Sequence, residues 1–191
     1  MRKIILDLAV TLDGFIEGPN GEIDWCLLDD DGDFENSEFG QFLESIDTVF
    51  YGRISYDLWG QYQPDERAGS AIKSVFNAVH SKKKYVFSRS VATGDKQNVT
   101  YINESIVTRV KEIKNEAGKD IWLYGGAKLI TAFINEGLID TYRLAVHPII
   151  LGSGKPLFHD ILQRQPLRLV SSTPSPSGLV VLIYDSISED E

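Results

Sequence analysis

The sequence predicts an α/β fold in which a mixed, mostly parallel sheet is flanked by helices and closed by an antiparallel C-terminal hairpin. Three observations predict it. Short apolar runs alternate with segments whose apolar residues recur at helical spacing. Two of those runs end on glycine and pass directly into a helical pattern, at Gly52 and at Gly125-Gly126. Beyond Ile139 the pattern changes to strands, and the last two are joined by the tight turn Ser175-Pro176-Ser177-Gly178.

Each element has its own signal. Residues 2–10 form an apolar strand, Thr11-Leu12-Asp13-Gly14 is a turn, Phe15-Ile16-Glu17 is extended, and Gly18-Pro19-Asn20-Gly21 turns again. Asp29 to Asp33 is an acidic loop. Residues 35–46 fit a helix with Phe39, Phe42, Leu43 and Ile46 inward, followed by a strand at 47–51 and a helix opening near Arg53. Residues 61–69 read as a loop, 71–79 as a helix, and 84–87 as a strand ending in Ser88-Arg89-Ser90. Val99, Tyr101 and Ile102 mark a strand. Asn103 is the expected N-cap of a helix carrying Ile106, Val107, Val110 and Ile113, closed by Gly118. A strand at 121–124 leads through the glycine pair into a helix at 126–135, with Leu129, Ile130, Phe133 and Ile134 on one face. Strands at 140–148, 167–174 and 178–186 complete the chain.

The 191 residues fit one domain, expected to span 1–186, with 187–191 an acidic tail. Hydrophobic residues make up 42% and charged residues 25%, an ordinary globular composition. No apolar run approaches the ~20 residues of a membrane span. Asp7 interrupts the first apolar run too early for a signal peptide. The single cysteine, Cys26, fits a reducing compartment, so the expected location is the cytoplasm. Asn98-Val99-Thr100 and Asn103-Glu104-Ser105 match glycosylation acceptors but have no secretion signal to use them. A formal net charge of −9 argues against nucleic acid as a partner.

The two strand–glycine–helix corners carry the chemistry. Such a corner aims backbone N–H groups and the positive end of a helix at one point, and glycine leaves the approach open. A phosphate suits that place. A tight connection without a ligand uses the same residues, so each corner taken alone is ambiguous. Two corners, one with Arg53 and the other with Lys128, suit a ligand with two phosphates. Other signals lead nowhere. Leu27 to Glu38 has the glycine and final glutamate of a calcium loop but leucine at the first ligand position. Gly152-Ser153-Gly154-Lys155 lacks the Ser/Thr of a P-loop. His80, His147 and His159 show no metal spacing.

The blocks Ala9-Val10-Thr11-Leu12-Asp13-Gly14-Phe15-Ile16, Val49-Phe50-Tyr51-Gly52-Arg53-Ile54-Ser55-Tyr56, Tyr85-Val86-Phe87-Ser88-Arg89, Leu123-Tyr124-Gly125-Gly126-Ala127 and Pro148 to Phe158 occur in that order. Together they resemble the dihydrofolate reductase fold, a three-layer arrangement. They resemble most the branch containing the reductase domain of bacterial riboflavin biosynthesis. The resemblance implies NADPH as cofactor. It implies that Ala9 and Ile16 flank the nicotinamide, and that Gly52, Arg53, Ile54 and Ser55 meet the diphosphate and adenosine side. Ser88, Arg89 and Ser90 then sit near the ribose 2′-phosphate. Tyr124, Gly125, Gly126, Ala127 and Lys128 cradle phosphate, with Leu129 and Ile130 nearby. A cis Gly125–Gly126 peptide is also implied. The residue chemistry agrees, since a 2′-phosphate needs guanidinium and hydroxyl donors and Ser88-Arg89-Ser90 supplies both.

A reductase also needs a proton. Three aspartates are candidates. Asp30 stands at about the spacing from Trp25 at which the folate enzymes place their carboxylate. Asp13 lies in the Leu-Asp-Gly block, where an aspartate also stabilises turns. Asp24 precedes Trp25. The resulting expectation is an NADPH-dependent oxidoreductase passing a hydride to a small unsaturated substrate of pterin, pyrimidinone or carbonyl type. A non-catalytic nucleotide-binding sensor or partner module on the same fold is the alternative, and a relative that binds no nicotinamide is a third. The resemblance further suggests a homodimer paired through C-terminal strands.

Overall fold

The computed structural model describes residues 1–26, 37–96 and 99–187. Asp30, the acidic loop around it and the acidic tail beyond Ile187 lie outside the described residues. In chain order the elements are β1 (Ile4–Thr11), β2 (Phe15–Glu17), α1 (Glu38–Ser45), β3 (Ile46–Gly52) and α2 (Arg53–Ser55), which a π-helical turn continues over Tyr56–Gly60. Then come α3 (Ser70–His80), β4 (Lys83–Phe87), β5 (Gly94–Lys96), β6 (Val99–Ile102), α4 (Ile106–Asn115), β7 (Asp120–Gly125) and α5 (Ala127–Asn135). The chain ends with β8 (Thr141–His147), β9 (Lys155–Pro156), β10 (Leu167–Pro174) and β11 (Val180–Ser186). The chain forms two compact units. The first takes residues 37–126 with Met1–Arg2, and the second takes residues 3–26 and 127–187.

In the first unit the strands run in the order β7-β3-β4-β6-β5. β3 pairs in parallel with both β7 and β4, β4 pairs in parallel with β6, and β5 returns antiparallel along β6. Val49, Phe50, Tyr51, Val86, Ile121 and Leu123 are all fully buried. They form a near-continuous apolar run in each strand, as parallel sheets covered on both faces require. Each such side chain contributes about 1.5–3 kcal/mol by leaving water. Ser37 caps α1 by accepting a bond from the Gly40 amide at 3.0 Å. At the opposite end of the sheet Arg2, only 6% exposed, pairs with Asp47 and donates to Thr48 Oγ1 at 2.6 Å. Gly118 passes so close that a Cβ there would meet Asp47 at 2.6 Å, and its φ of +155° suits glycine alone.

Three expectations change here. Ile46 opens β3 in extended conformation instead of closing the preceding helix, with its side chain fully buried all the same. Ser105, not Asn103, caps α4, accepting from the Thr108 amide. Asn103 is still tied to the strand region, its amide donating to Thr93 Oγ1 at 2.9 Å. Gly118 stands three residues past the end of α4, so it shapes the loop to β7 and does not cap the helix.

In the second unit the order is β10-β11-β8-β1, with β1 and β8 parallel and the other pairs antiparallel. The hairpin turn forms as the sequence predicts, with the Gly178 amide bonded to the Ser175 carbonyl at 3.0 Å. Leu129, Ile130, Phe133 and Ile134 are all buried, confirming the apolar face read for α5. Among the described residues, no helix is long and apolar enough to cross a membrane.

Candidate functional site

The first unit's parallel strands deliver their C-terminal ends side by side. Tyr51 is the register partner of Gly125, and Gly52 is the partner of Phe87. The predicted corners are therefore neighbours, and Ser88 opens at the end of the next strand. In open α/β sheets this edge is where ligands bind.

The two glycine corners touch. A Cβ built on Gly126 would lie 3.8 Å from the Cβ of Ser55. The Gly125–Gly126 peptide is cis, as the resemblance implied, and Gly125 has φ +108°. The two corners therefore lie against each other. Arg53 follows Gly52 directly, is about half exposed, and pairs with Asp57 at 2.6 Å. Beside it Ile54 is 66% exposed. At the third strand end the buried Ser88 hydroxyl accepts from the amides of Ser90 at 3.2 Å and Val91 at 3.1 Å. That bend leaves Arg89 and Ser90 exposed.

An aromatic row runs beneath the corners. The Tyr51 ring lies 4.9 Å from Tyr124 and 5.7 Å from Tyr56, between centroids. The Tyr51 hydroxyl is buried with no hydrogen-bond partner among the described residues. Burial pushes its pKa far up, and the neighbouring Tyr124 and Tyr56 add to the effect, so it stays a neutral donor. An unpaired buried hydroxyl costs about 1–3 kcal/mol, a cost structures accept more readily near functional sites than elsewhere.

The donor set suits a phosphorylated dinucleotide. Two glycine corners in contact, with Gly52 and Gly126 each partly exposed, suit a diphosphate, and an exposed arginine with serine hydroxyls one strand away suits a further phosphate. Among the described residues, no cluster of histidine, cysteine or carboxylate side chains has the arrangement of a metal site. Ala127 and Lys128 begin α5 in the second unit, with Lys128 exposed. Leu129 and Ile130 bury their side chains there and offer only backbone.

The second unit holds the other expected residues. Ala9 is half-buried beside its register partner Ala145, and Ile16 lies in β2, which pairs with β9. Asp13 is a clamp. Its carboxylate accepts from the Thr11 hydroxyl at 2.6 Å and from the amides of Leu151 at 3.2 Å and Gly152 at 2.7 Å. The Thr11 bond is the largest influence, burial works against it, and the amide bonds add to it. The net effect holds the Asp13 carboxyl below its usual 3.8, opposite to what an acid at neutral pH requires. Asp24 is exposed.

Some of the polar chemistry in this unit escaped sequence reasoning. On one face of its sheet Asp7 and Arg143 are register partners, both buried and ion-paired. Two positions along the same face stand Thr11 and His147, likewise partners and buried. The His147 ring meets Trp25 edge-on at 5.3 Å, and its Nε2 lies 3.9 Å from Cys26 Sγ. The available signal was charge inside apolar strands, since a buried Asp or Arg demands a partner.

Fold and strand-end geometry together define an α/β protein of the dihydrofolate reductase-like class. The chain belongs to the RibD C-terminal domain family, whose model matches residues 2–181. It is 54% identical over 183 residues to the uncharacterised protein YyaP of Bacillus subtilis (strain 168), covering 96% of this chain and 94% of that one. A solved structure from Shewanella sp. PV-4 superposes with TM-score 0.77 at 22% identity, covering 98% of this chain and all of the other. Dihydrofolate reductase from Enterococcus faecalis, solved with NADP(H), superposes with TM-score 0.65 at 14% identity and 97% coverage of both chains.

Proposed function

We propose that the protein is an NADPH-dependent reductase acting on a small unsaturated substrate of pterin, pyrimidinone or carbonyl type. The observation that carries this reading is the pairing of Tyr51 with Gly125, which sets both glycine corners against each other at the strand ends. Family membership supports it, and so does the NADP(H) bound by a structural neighbour of the same fold.

When bound, the cofactor supplies a hydride. The chain's own residues hold and orient it. Gly52 and Gly125–Gly126 leave space for diphosphate oxygens against backbone N–H groups, and Arg53 adds charge. Ser88 shapes the bend that presents Arg89 and Ser90 to a 2′-phosphate. For the proton, Asp24 and Asp30 stand ahead of Asp13, whose bonds hold its carboxyl below the usual value. Each is replaced by asparagine and turnover compared at saturating cofactor. A large loss confined to one variant names the donor, and changes of only a few-fold in all three assign it to water or substrate.

The test is titration with NADPH followed by an assay across pterins, pyrimidinones and small carbonyl compounds, reading loss of nicotinamide absorbance. Failure to bind NADPH overturns the reading, and binding without turnover across the panel points to a sensor. The proposed location is the cytoplasm. The proposed partner is a second copy of this chain, because β10 edges the second unit's sheet with Leu169 and Val170 more than half exposed. Leu169→Glu should then shift the mass seen by light scattering from dimer to monomer.

A further inference from the structure

We propose that the Tyr51 hydroxyl, unpaired in the free protein, donates to a phosphate oxygen of the ligand that fills the glycine corners. The inference rests on the cofactor reading and goes beyond it, because it assigns a donor to a side chain to which the resemblance gives no role.

The Tyr51 ring lies among the residues that form the corners. Its backbone is the register partner of Gly125. The ring meets that of Tyr124, the residue before Gly125, at 4.9 Å and a tilt of 36°. It meets that of Tyr56, the residue after Ser55, at 5.7 Å and 65°. Ser55 is the residue that a Cβ on Gly126 would touch. The two rings that enclose Tyr51 are therefore carried by the two segments that form the corner contact. Tyr56 is buried and Tyr124 is partly exposed, so the Tyr124 ring is the part of that enclosure a ligand can reach.

Packing does not account for the oxygen. Tyr51 is fully buried, and phenylalanine would make its ring contacts equally well. The hydroxyl adds only an unpaired donor. Among the described residues, no other tyrosine hydroxyl is both buried and without a partner. Tyr85 and Tyr142 are buried residues too, so burying a tyrosine does not by itself orphan its oxygen. A buried donor lacking an acceptor is stabilised by one that arrives. An anionic oxygen is the strongest such acceptor, and burial keeps the hydroxyl protonated to meet it.

The experiment compares wild type, Tyr51→Phe and Tyr142→Phe, the last a buried tyrosine of the second unit. Without ligand, Tyr51→Phe should unfold at or above the wild-type temperature, since it removes an unsatisfied group. A lower temperature means that the hydroxyl already has a partner and overturns the inference. Calorimetric titration follows, with NADPH, NADH and inorganic pyrophosphate. Tyr51→Phe should bind each about three- to tenfold more weakly, the loss of one hydrogen bond to a charged acceptor, while Tyr142→Phe should match wild type. A loss below about threefold overturns the inference, and so does an equal loss in Tyr142→Phe. NMR of protein with isotope-labelled tyrosine Cζ supplies a third readout. The resonance missing from Tyr51→Phe should move when pyrophosphate is added to wild type, and one that stays in place overturns direct donation. If neither dinucleotide binds but pyrophosphate does, more weakly in Tyr51→Phe, the cofactor reading falls and the role of Tyr51 stands. If no probe binds wild type, both fall.

Discussion

The first unit builds its candidate site from backbone, and the second buries paired side chains. At the strand ends of the first unit the decisive residues are glycines, and the polar groups around them, Arg53, Arg89 and Ser90, are exposed. On the sheet face of the second unit Asp7, Arg143, Thr11 and His147 are all buried. The contrast teaches where each kind of polar group makes its contribution. An exposed arginine at a glycine corner adds little to stability and is available to a ligand. A buried ion pair has already been taken out of water, and breaking it leaves one charge stranded.

Substitution can break this division or sharpen it. The largest expected effect is in the second unit. Arg143→Met should cost about 3–5 kcal/mol by taking the guanidinium away from the buried Asp7 carboxylate, and adding Asp7→Leu should recover most of it. Urea unfolding of the three variants reads this directly, and a small loss in the single variant would mean that the face is wetter than its exposure indicates. Next comes Gly125→Ala, where a side chain at φ +108° should cost about 1–3 kcal/mol of stability and impair NADPH binding as well. Gly126→Ala should separate the two properties. Its Cβ meets Ser55 only at 3.8 Å, an ordinary contact, yet it narrows the space expected for phosphate. Unfolding midpoints should stay near wild type while affinity falls.

Arg89→Ala should weaken NADPH by about 1–3 kcal/mol and leave NADH nearly unchanged, as compared by titration with each. Equal losses would remove Arg89 from the 2′-phosphate. The smallest effect concerns Asp47. Burial raises its pKa, but the Lys119 amide, the Thr48 hydroxyl and the Arg2 guanidinium together outweigh that and leave it below the usual 3.8. Because the folded form gives up its proton more easily than the unfolded one, this stabilisation is complete above about pH 4 and fades as pH falls through the native value. Asp47→Asn should therefore cost about 1 kcal/mol near pH 7, the carboxylate being partly screened by water. The gap in denaturant midpoint should close as pH falls below about 4.

Much of the first unit was legible in the sequence because its signals are local. Four apolar residues, two glycines and a helical pattern occupy adjacent positions, and so do Phe87, Ser88 and Arg89. The apolar face of α5 was legible for the same reason. Ile46 was misplaced because an apolar residue between a helix and a strand satisfies both periods until the backbone turns. Ser105 and Asn103 are both good caps, and only the start of α4 at Ile106 decides between them. The short strands β5 and β9 carry too few residues for any pattern. The face with Asp7 and Arg143 depends on a register between strands 136 positions apart, which no local window contains.

Cys26 is the sole thiol in the chain, and it is partly covered, with burial pushing its pKa up. A thiol reagent therefore reacts at one known place, and it does so fastest when Trp25 and His147 move away from the sulfur. The labelling rate under native conditions becomes a clock for local breathing around Trp25 and His147. No residue need be engineered to read it.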